Sequence, residues 1–544
     1  MSTPESVPTI FMDIEKLLEN IQKPGRYIGN EWNVSRKDFD SVKVKIALCF
    51  PDAYEIGMSH LGFKILYHLL NEQPGVVCER VFMPWIDFQA ALQREGALLF
   101  SLESKRPLAE FDIIGFSLEH ELSYTNVLAV LSLAGIPLKS SERSDKFPLI
   151  IGGGVCVVNP EPMADFFDAF FIGEAEEGIL EIMRVIARSK AEGRATKQSP
   201  RADVLKDLAA IEGMYVPSLY SAKTVIKKRI VKDFGNAYYP VKQIVPYIQI
   251  VHDRIALEIM RGCPNNCNFC QATSVYRPLR IRSVDRILQL AEEAYQATGY
   301  DEISLVSLST GDYPHIAELV KALTDRFQSR KVSISLPSLR AEDMLVNLPQ
   351  LISSIKKTGL TFAPEAGSQR LRDAINKRLD IEKLYECTQA AAKNGWRSVK
   401  LYFMIGLPGE TEEDLAQIKG LIRKIPMQAT ASFSYFVPKP HTKFQNETMD
   451  SMDSLLKKKA FLEKDLKMKG VTLRWHDIRM SMVEAALSRG DRRLSEVILK
   501  AFTLGARFDS WSEHFNYSIW QEAGIESVSR TEPLPWAHID CGLL

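Results

Sequence analysis

Cys263, Cys267 and Cys270 fall in the run MRGCPNNCNFC, just after an apolar stretch at 255–260 that reads as a buried strand. The spacing C-x3-C-x2-C puts three thiolates on one short loop and brings no fourth close by. Structural zinc sites and most iron–sulfur sites take four protein ligands. Three thiolates at a strand end therefore suit a 4Fe–4S cluster that keeps one iron open for a small molecule. A zinc loop is the alternative, its fourth ligand drawn from Cys387, Cys541 or one of the nine histidines. Plain apolar burial of the thiols fits poorly, because Pro264, Asn265, Asn266 and Asn268 between them are polar turn formers.

Such a loop needs a scaffold. From residue 251 the chain alternates apolar strands, at 255–262, 302–310, 332–339, 360–367, 398–407 and 430–437, with helices at 284–298, 314–328, 381–394 and 412–424. Six strand–helix repeats suit a partial TIM-type (β/α)6 barrel, whose chemistry sits at the C-terminal strand ends. Ahead of it lies a first alternation, with strands at 42–50, 76–83, 111–117, 148–154 and 168–173 and helices at 59–71, 124–133 and from about 176. That pattern predicts an α/β, doubly wound (Rossmann-like) parallel sheet. The organisation expected is an extension (1–42), the Rossmann-like unit (43–200), a β-rich connecting segment (201–250), the barrel (251–450) and a mostly helical C-terminal region (451–544). Residues 191–200 read as a surface loop, the Lys-rich helix at 454–468 as a solvated face, and Trp511, Phe515 and Trp520 as core or contact aromatics.

At 544 residues two or three domains are expected. Lys plus Arg and Asp plus Glu are 68 each, so no global charge draws the chain to nucleic acid or membrane. No apolar run reaches membrane-spanning length, and the N-terminus lacks the pattern of a signal peptide. Eight cysteines, three of them grouped, fit a reducing cytoplasm better than a disulfide framework.

Residues 250–450 resemble a radical S-adenosylmethionine (SAM) domain, strand by strand. The resemblance implies that the open iron chelates the methionine moiety and that an electron cleaves the sulfonium to give a 5′-deoxyadenosyl radical. It places the backbone of Phe269 against the adenine. Ser309-Thr310-Gly311-Asp312 stands where the family has a Gly-Gly-Glu-like turn holding the methionine amino group; helix capping is the plainer reading of Thr310 and Asp312. Glu365, in PEAGS, would accept hydrogen bonds from the ribose hydroxyls, and Arg340 would meet the methionine carboxylate. Ile405, Gly406 and Leu407 would pack the adenine face, while Glu410 and Thr411 open the next helix.

The N-terminal half resembles a cobalamin-binding-type domain, on Gly115-Phe116-Ser117, Ile151-Gly152-Gly153-Gly154 and Phe171-Ile172-Gly173-Glu174. Ser117 and the glycines Gly152, Gly153 and Gly154 would lie against a large flat ligand, although glycine is common at any such turn. The motif D-x-H-x-x-G is missing, since Met58 and Phe63 flank His60 where Asp and Gly would stand; histidine ligation of cobalt is not expected. The strings YEIGMSHLGFKILYHLLNE, FSLEHELSYTNVL, FVPKPHTKFQ and PLPWAHID resemble an uncharacterised family of radical proteins with this N-terminal domain. The implied activity is a radical enzyme, with cobalamin-dependent methylation of an unactivated carbon as its leading form and a reductant such as flavodoxin or ferredoxin as partner. A radical enzyme without cobalamin, catalysing thiolation or rearrangement, and a zinc-stabilised binding protein are the alternatives.

Overall fold

Apolar runs too short for helices build the first sheet of the computed structural model, which describes residues 14–191, 201–220, 224–336, 360–527 and 533–542. Strands β1 (Val44–Phe50) and β2 (Val76–Phe82) are buried nearly residue for residue, as strands covered on both faces must be. They pair in parallel and are joined by β3 (Ile113–Ser117), β4 (Leu149–Gly153) and β5 (Ala169–Phe171) in the order β2-β1-β3-β4-β5; β6 (Met214–Tyr215) closes that edge antiparallel. Strand order reverses between β1 and β3, so a crevice opens beyond their C-terminal ends, where Ser117 and Gly152–Gly154 lie.

Each face of this sheet has its own core. One face packs Phe63, Tyr67 and Leu70 of helix α1 (Leu61–Asn71) and Ile182 and Ile186 of α2 (Ala175–Ala191). The other packs a helix at Tyr124–Leu133 together with helices from the far end of the chain, Ile478–Arg489, Leu494–Thr503 and Tyr517–Ala523. The C-terminal region therefore covers the N-terminal sheet. Trp520 is enclosed there, its Nε1 donating to Asp509 at 3.1 Å, and Trp511 meets Trp85 with ring centroids 5.1 Å apart.

The second half forms parallel strands β7 (Ile255–Glu258), β8 (Glu302–Val306) and β9 (Ser333–Ser335), then β10 (Leu360–Glu365), β11 (Ser398–Ile405), β12 (Gln428–Tyr435) and β13 (Val471–Trp475). They pair in the orders β9-β8-β7 and β10-β11-β12-β13. The six expected strands are thus joined by a seventh, β13, beyond residue 450. Its alternating half-exposed pattern is that of an edge strand, which leaves only a weak apolar signal. The strand expected at 255–262 breaks into Ile255–Glu258 and Met260–Arg261, the second turned to pair antiparallel with Arg280–Ile281. Residues 224–250 carry a single short strand, Ile226–Lys227, where more β structure was expected; Pro240 and Pro246 cannot donate to a ladder. Arg340 and residues 192–200 lie outside the described residues.

Candidate functional site

The three cysteines sit on the loop that leaves Met260–Arg261, each half-buried, and a short helix, Gln271–Val275, follows at once. The loop is held by groups other than its thiols. Asn265 Nδ2 donates to Asp312 Oδ2 at 2.9 Å and approaches Cys263 Sγ at 3.4 Å, while Ser309 Oγ donates to the same Asp312 oxygen at 2.6 Å. Asp312 therefore does not cap the following helix, which starts at Ile316; it ties the turn after β8 to the cysteine loop. Thr310 is wholly buried, its hydroxyl 3.1 Å from that of Ser307. Behind the loop, Lys228 Nζ donates to the carbonyls of Ser274, Val275 and Arg277. Burial pushes the Cys267 thiol up to about 11, opposed by the nearby Lys377 ammonium and reinforced by Cys270 and Cys263. Three neighbouring thiols on a pre-shaped loop fit a metal cluster. Cys387 is enclosed in the barrel core, whereas Cys541 lies in the core that also holds Val275, close to Lys228 behind the loop.

Glu365 ends β10 with φ +65°, a left-handed conformation that costs a non-glycine residue about 1–3 kcal/mol and tends to persist at functional sites. Burial raises its pKa, opposed by Lys377, whose Nζ lies 3.4 Å from Oε1. Lys377, twelve residues on, was not singled out from the sequence; no periodicity pairs the two. Phe269 packs against the small apolar cluster formed by Ala366, Leu371, Ile375, Leu407 and Phe436. Ile405 faces the helix-side core, which leaves only its backbone to the site. At Gly406, φ is +81° and a Cβ would meet Leu455 at 2.9 Å. Thr411 caps the next helix, as expected, but Glu410 turns back: its Oε2 accepts from Gly406 N–H and from Lys458 Nζ, both at 2.8 Å.

A cavity of about 580 Å³ lies on the α1/α2 face of the N-terminal sheet. Leu48, Gly115, Ser117 and Gly153 floor it, and Ile65 and Ile179 wall it. On the barrel side it reaches Arg261 and Gly262, next to Cys263. Gly153 has neither a positive φ nor any atom within 4 Å of where a Cβ would stand, so its missing side chain serves the open space alone. Gly154 differs: φ is +104° and a Cβ would strike the Leu118 carbonyl oxygen at 2.6 Å. His60 also lines the cavity. Its Nδ1 accepts the Phe63 N–H at 3.2 Å, which makes Nε2, 3.8 Å from Glu119, the donor. The ring is thus a hydrogen-bond donor and not a free ligand.

A model of the radical SAM superfamily matches residues 257–422, and one of the N-terminal region of radical SAM proteins matches residues 62–217. An uncharacterised protein of Methanocaldococcus jannaschii is 30% identical over 457 residues, covering 83% of this chain and 90% of its own. The chain belongs to the radical SAM superfamily. The ribosomal protein uS12 methylthiotransferase RimO of Desulfotalea psychrophila is 28% identical over 37% of this chain and 46% of its own. Among solved structures, the radical SAM methyltransferase TsrM of Kitasatospora setae, with cobalamin and a [4Fe-4S] cluster bound, aligns with TM-score 0.49 and 12% identity over 74% of this chain and 73% of its own.

For this radical SAM enzyme, membership implies a 4Fe–4S cluster, SAM and a reductant. Among the described residues no helix is long and apolar enough to cross a membrane. The Gly406 turn offers a direct prediction. Glu410→Ala strands a buried N–H and removes one partner of Lys458, which keeps Asp450 at 2.7 Å. The expected loss is about 1–3 kcal/mol in urea unfolding. SAM affinity by equilibrium dialysis should fall as well, with iron content unchanged.

Proposed function

We propose that this enzyme cleaves SAM at the barrel mouth and methylates a carbon of its substrate with a corrinoid held in the cavity on the N-terminal sheet. When bound, the cluster supplies the single electron that breaks the sulfonium, and the corrinoid supplies the methyl group. Cys263, Cys267 and Cys270 would hold the cluster. Asp312 suits the methionine amino group, since it already accepts two hydrogen bonds at the loop. Lys377 offers a cation for the methionine carboxylate, the part given to Arg340 from the sequence. Glu365 would accept from the ribose hydroxyls, and Phe269, Leu407 and the backbone at Ile405 and Gly406 would enclose the adenine. Ser117, Gly153 and Gly154 would bear on the corrinoid, with His60 donating a hydrogen bond to it rather than binding cobalt; Gly152 offers only its backbone, because its missing side chain faces the other side of the sheet, where a Cβ would strike Phe170 at 2.8 Å.

The observation that carries the corrinoid reading is Gly153, a strand glycine needed by no turn and crowded by no neighbour, facing a cavity that runs to the residue before Cys263. Gly153→Leu should fold normally and fill that space. Anaerobic reconstitution with hydroxocobalamin, followed by desalting and cobalt analysis, should give at least about tenfold less retained cobalt than the parent, the scale of about 1–3 kcal/mol of overpacking. Iron content and SAM cleavage should persist. Equal cobalt in both proteins would remove the cavity from the proposal.

The likeness to RimO favours a second reading, in which the added group carries sulfur. The cysteines of the N-terminal unit, Cys49, Cys78 and Cys156, are buried with thiols pushed up by burial, which makes them poor sulfur donors. Mass spectrometry of the modified substrate separates the two readings.

A further inference from the structure

We propose that Glu119 and Tyr276 form a clamp for one primary amide on the rim of the corrinoid, so that the cavity takes amidated corrins and rejects those with a carboxylate at that position. The proposal rests on the corrinoid reading of the cavity on the N-terminal sheet. Both side chains line that cavity. Glu119 stands two residues after Ser117, the end of β3, and Tyr276 ends the short helix that follows Cys270. The carboxylate lies over Gly154, where a Cβ would stand 2.8 Å from Glu119 Oε1. Among the described residues this carboxylate accepts no hydrogen bond; His60 Nε2 is 3.8 Å away, beyond bonding reach. The Tyr276 hydroxyl has no hydrogen-bond partner among them either. Burial pushes that hydroxyl up, the Glu119 and Glu258 charges add to the shift and Arg261 opposes it, so it keeps its proton and can donate.

An ionised carboxylate only accepts, and a protonated phenol donates. A primary amide answers both: its NH2 donates to Glu119 and its carbonyl accepts from Tyr276. A carboxylate of the same shape answers the tyrosine alone and is repelled by the glutamate. The rim of a corrin carries several such amides on flexible arms. Charge around the cavity has the same sense. Its lining sets Glu119, Glu174, Glu176 and Glu258 against Arg254 and Arg261. Their outer partners, Arg280 on Glu174 and Glu302 on Arg254, bring the count to five acids and three arginines. Burial holds His252 below the usual histidine range, and a proton on His60 would cancel only one unit. Lys439, beyond Cys156, is taken by Glu121 and Glu484 at 2.7 and 2.8 Å and does not offset the excess. Ser304 also favours a polar visitor. Its hydroxyl lines the barrel side of the cavity, buried and without a partner among the described residues. A second arm of the ligand would satisfy it.

The test uses the full chain, reconstituted anaerobically, in equilibrium dialysis against cyanocobalamin and its isomeric monocarboxylic acids, each with one side amide hydrolysed. Amide and acid share a shape, so only charge and hydrogen bonding differ. In the parent, one isomer should bind at least about tenfold more weakly than cyanocobalamin, as a like-charge contact demands. Glu119→Gln should bring that isomer to within about threefold of cyanocobalamin, because the repelling charge is gone. Tyr276→Phe should weaken cyanocobalamin and that isomer alike and leave their ratio unchanged. Equal affinity for every isomer in the parent overturns the clamp and leaves the cavity reading standing. An unchanged ratio in Glu119→Gln does the same, as does cyanocobalamin bound by Tyr276→Phe as tightly as by the parent. The parent's profile needs no variant and Tyr276→Phe keeps every charge, so a variant that fails to fold does not shield the clamp. A parent that holds neither cyanocobalamin nor any isomer overturns the corrinoid reading itself, and the clamp with it.

Discussion

Cys267→Ala is expected to leave a folded chain that retains at least about 100-fold less cluster iron, a loss larger than that from removing an outer partner of a ligand. The thiols do not shape their own loop. Asn265 holds it to Asp312, Asn268 to Ile375, Asn376 to Asn266, and Lys228 gathers the carbonyls behind it. Each anchor survives the substitution, so far-UV dichroism and the unfolding midpoint should stay close to those of the parent. What is lost is one of three thiolates, and two on a half-buried loop hold a cluster poorly. Anaerobic reconstitution with iron and sulfide analysis, and visible absorption, reads the loss directly; SAM cleavage should vanish with it. Full iron content in the variant would mean that the loop is not the cluster site.

How much of this could be read from the chain depends on how local each signal is. The cysteine spacing is a local code, and so is the alternation of strands and helices; β1, β2 and the helix at Tyr124–Leu133 lie where periodicity puts them. The strand-end positions of Asp312 and Glu365 follow once the barrel is assumed. Partners set by folding were not legible. Lys377 reaches Glu365 only because helix α3 (Gln369–Ala374) turns the chain back. Asn265 looks like one more turn residue until β8 brings Asp312 beside it. Glu410 reads as a helix-opening acid, since nothing nearby in sequence says that Gly406 N–H lacks a partner. Strand β13 was missed because five residues with alternate exposure give little apolar signal, and the Lys-rich helix before it suggested that the barrel had ended.

A second large effect is expected far from the cysteines, at Glu31. Arg80 lies in the middle of β2, fully enclosed, with Nη1 and Nη2 on the two Glu31 oxygens at 3.0 and 2.6 Å and Nε on Glu103 at 2.7 Å. Tyr54 Oη donates to Glu31 at 2.7 Å. Burial pushes the Glu31 carboxyl up, but the Arg80 guanidinium outweighs it and holds the group below the usual carboxylate range. Glu31→Ala leaves Arg80 Nη2 and the Tyr54 hydroxyl without their partner and Nη1 with only the Met58 sulfur, a defect that costs about 3–5 kcal/mol. Glu31→Gln keeps an acceptor for Tyr54 and leaves Arg80 its pair with Glu103, so about 1–3 kcal/mol is expected. The order of the two variants in urea unfolding tests whether charge or packing dominates; equal losses below about 1 kcal/mol would refute the argument. The site also bears on function. Tyr54 opens the segment that runs through Met58, itself 3.2 Å from Arg80 Nη1, to His60 at the cavity. Loosening Glu31 should therefore weaken corrinoid retention in Glu31→Ala more than in Glu31→Gln, with iron content alike in both.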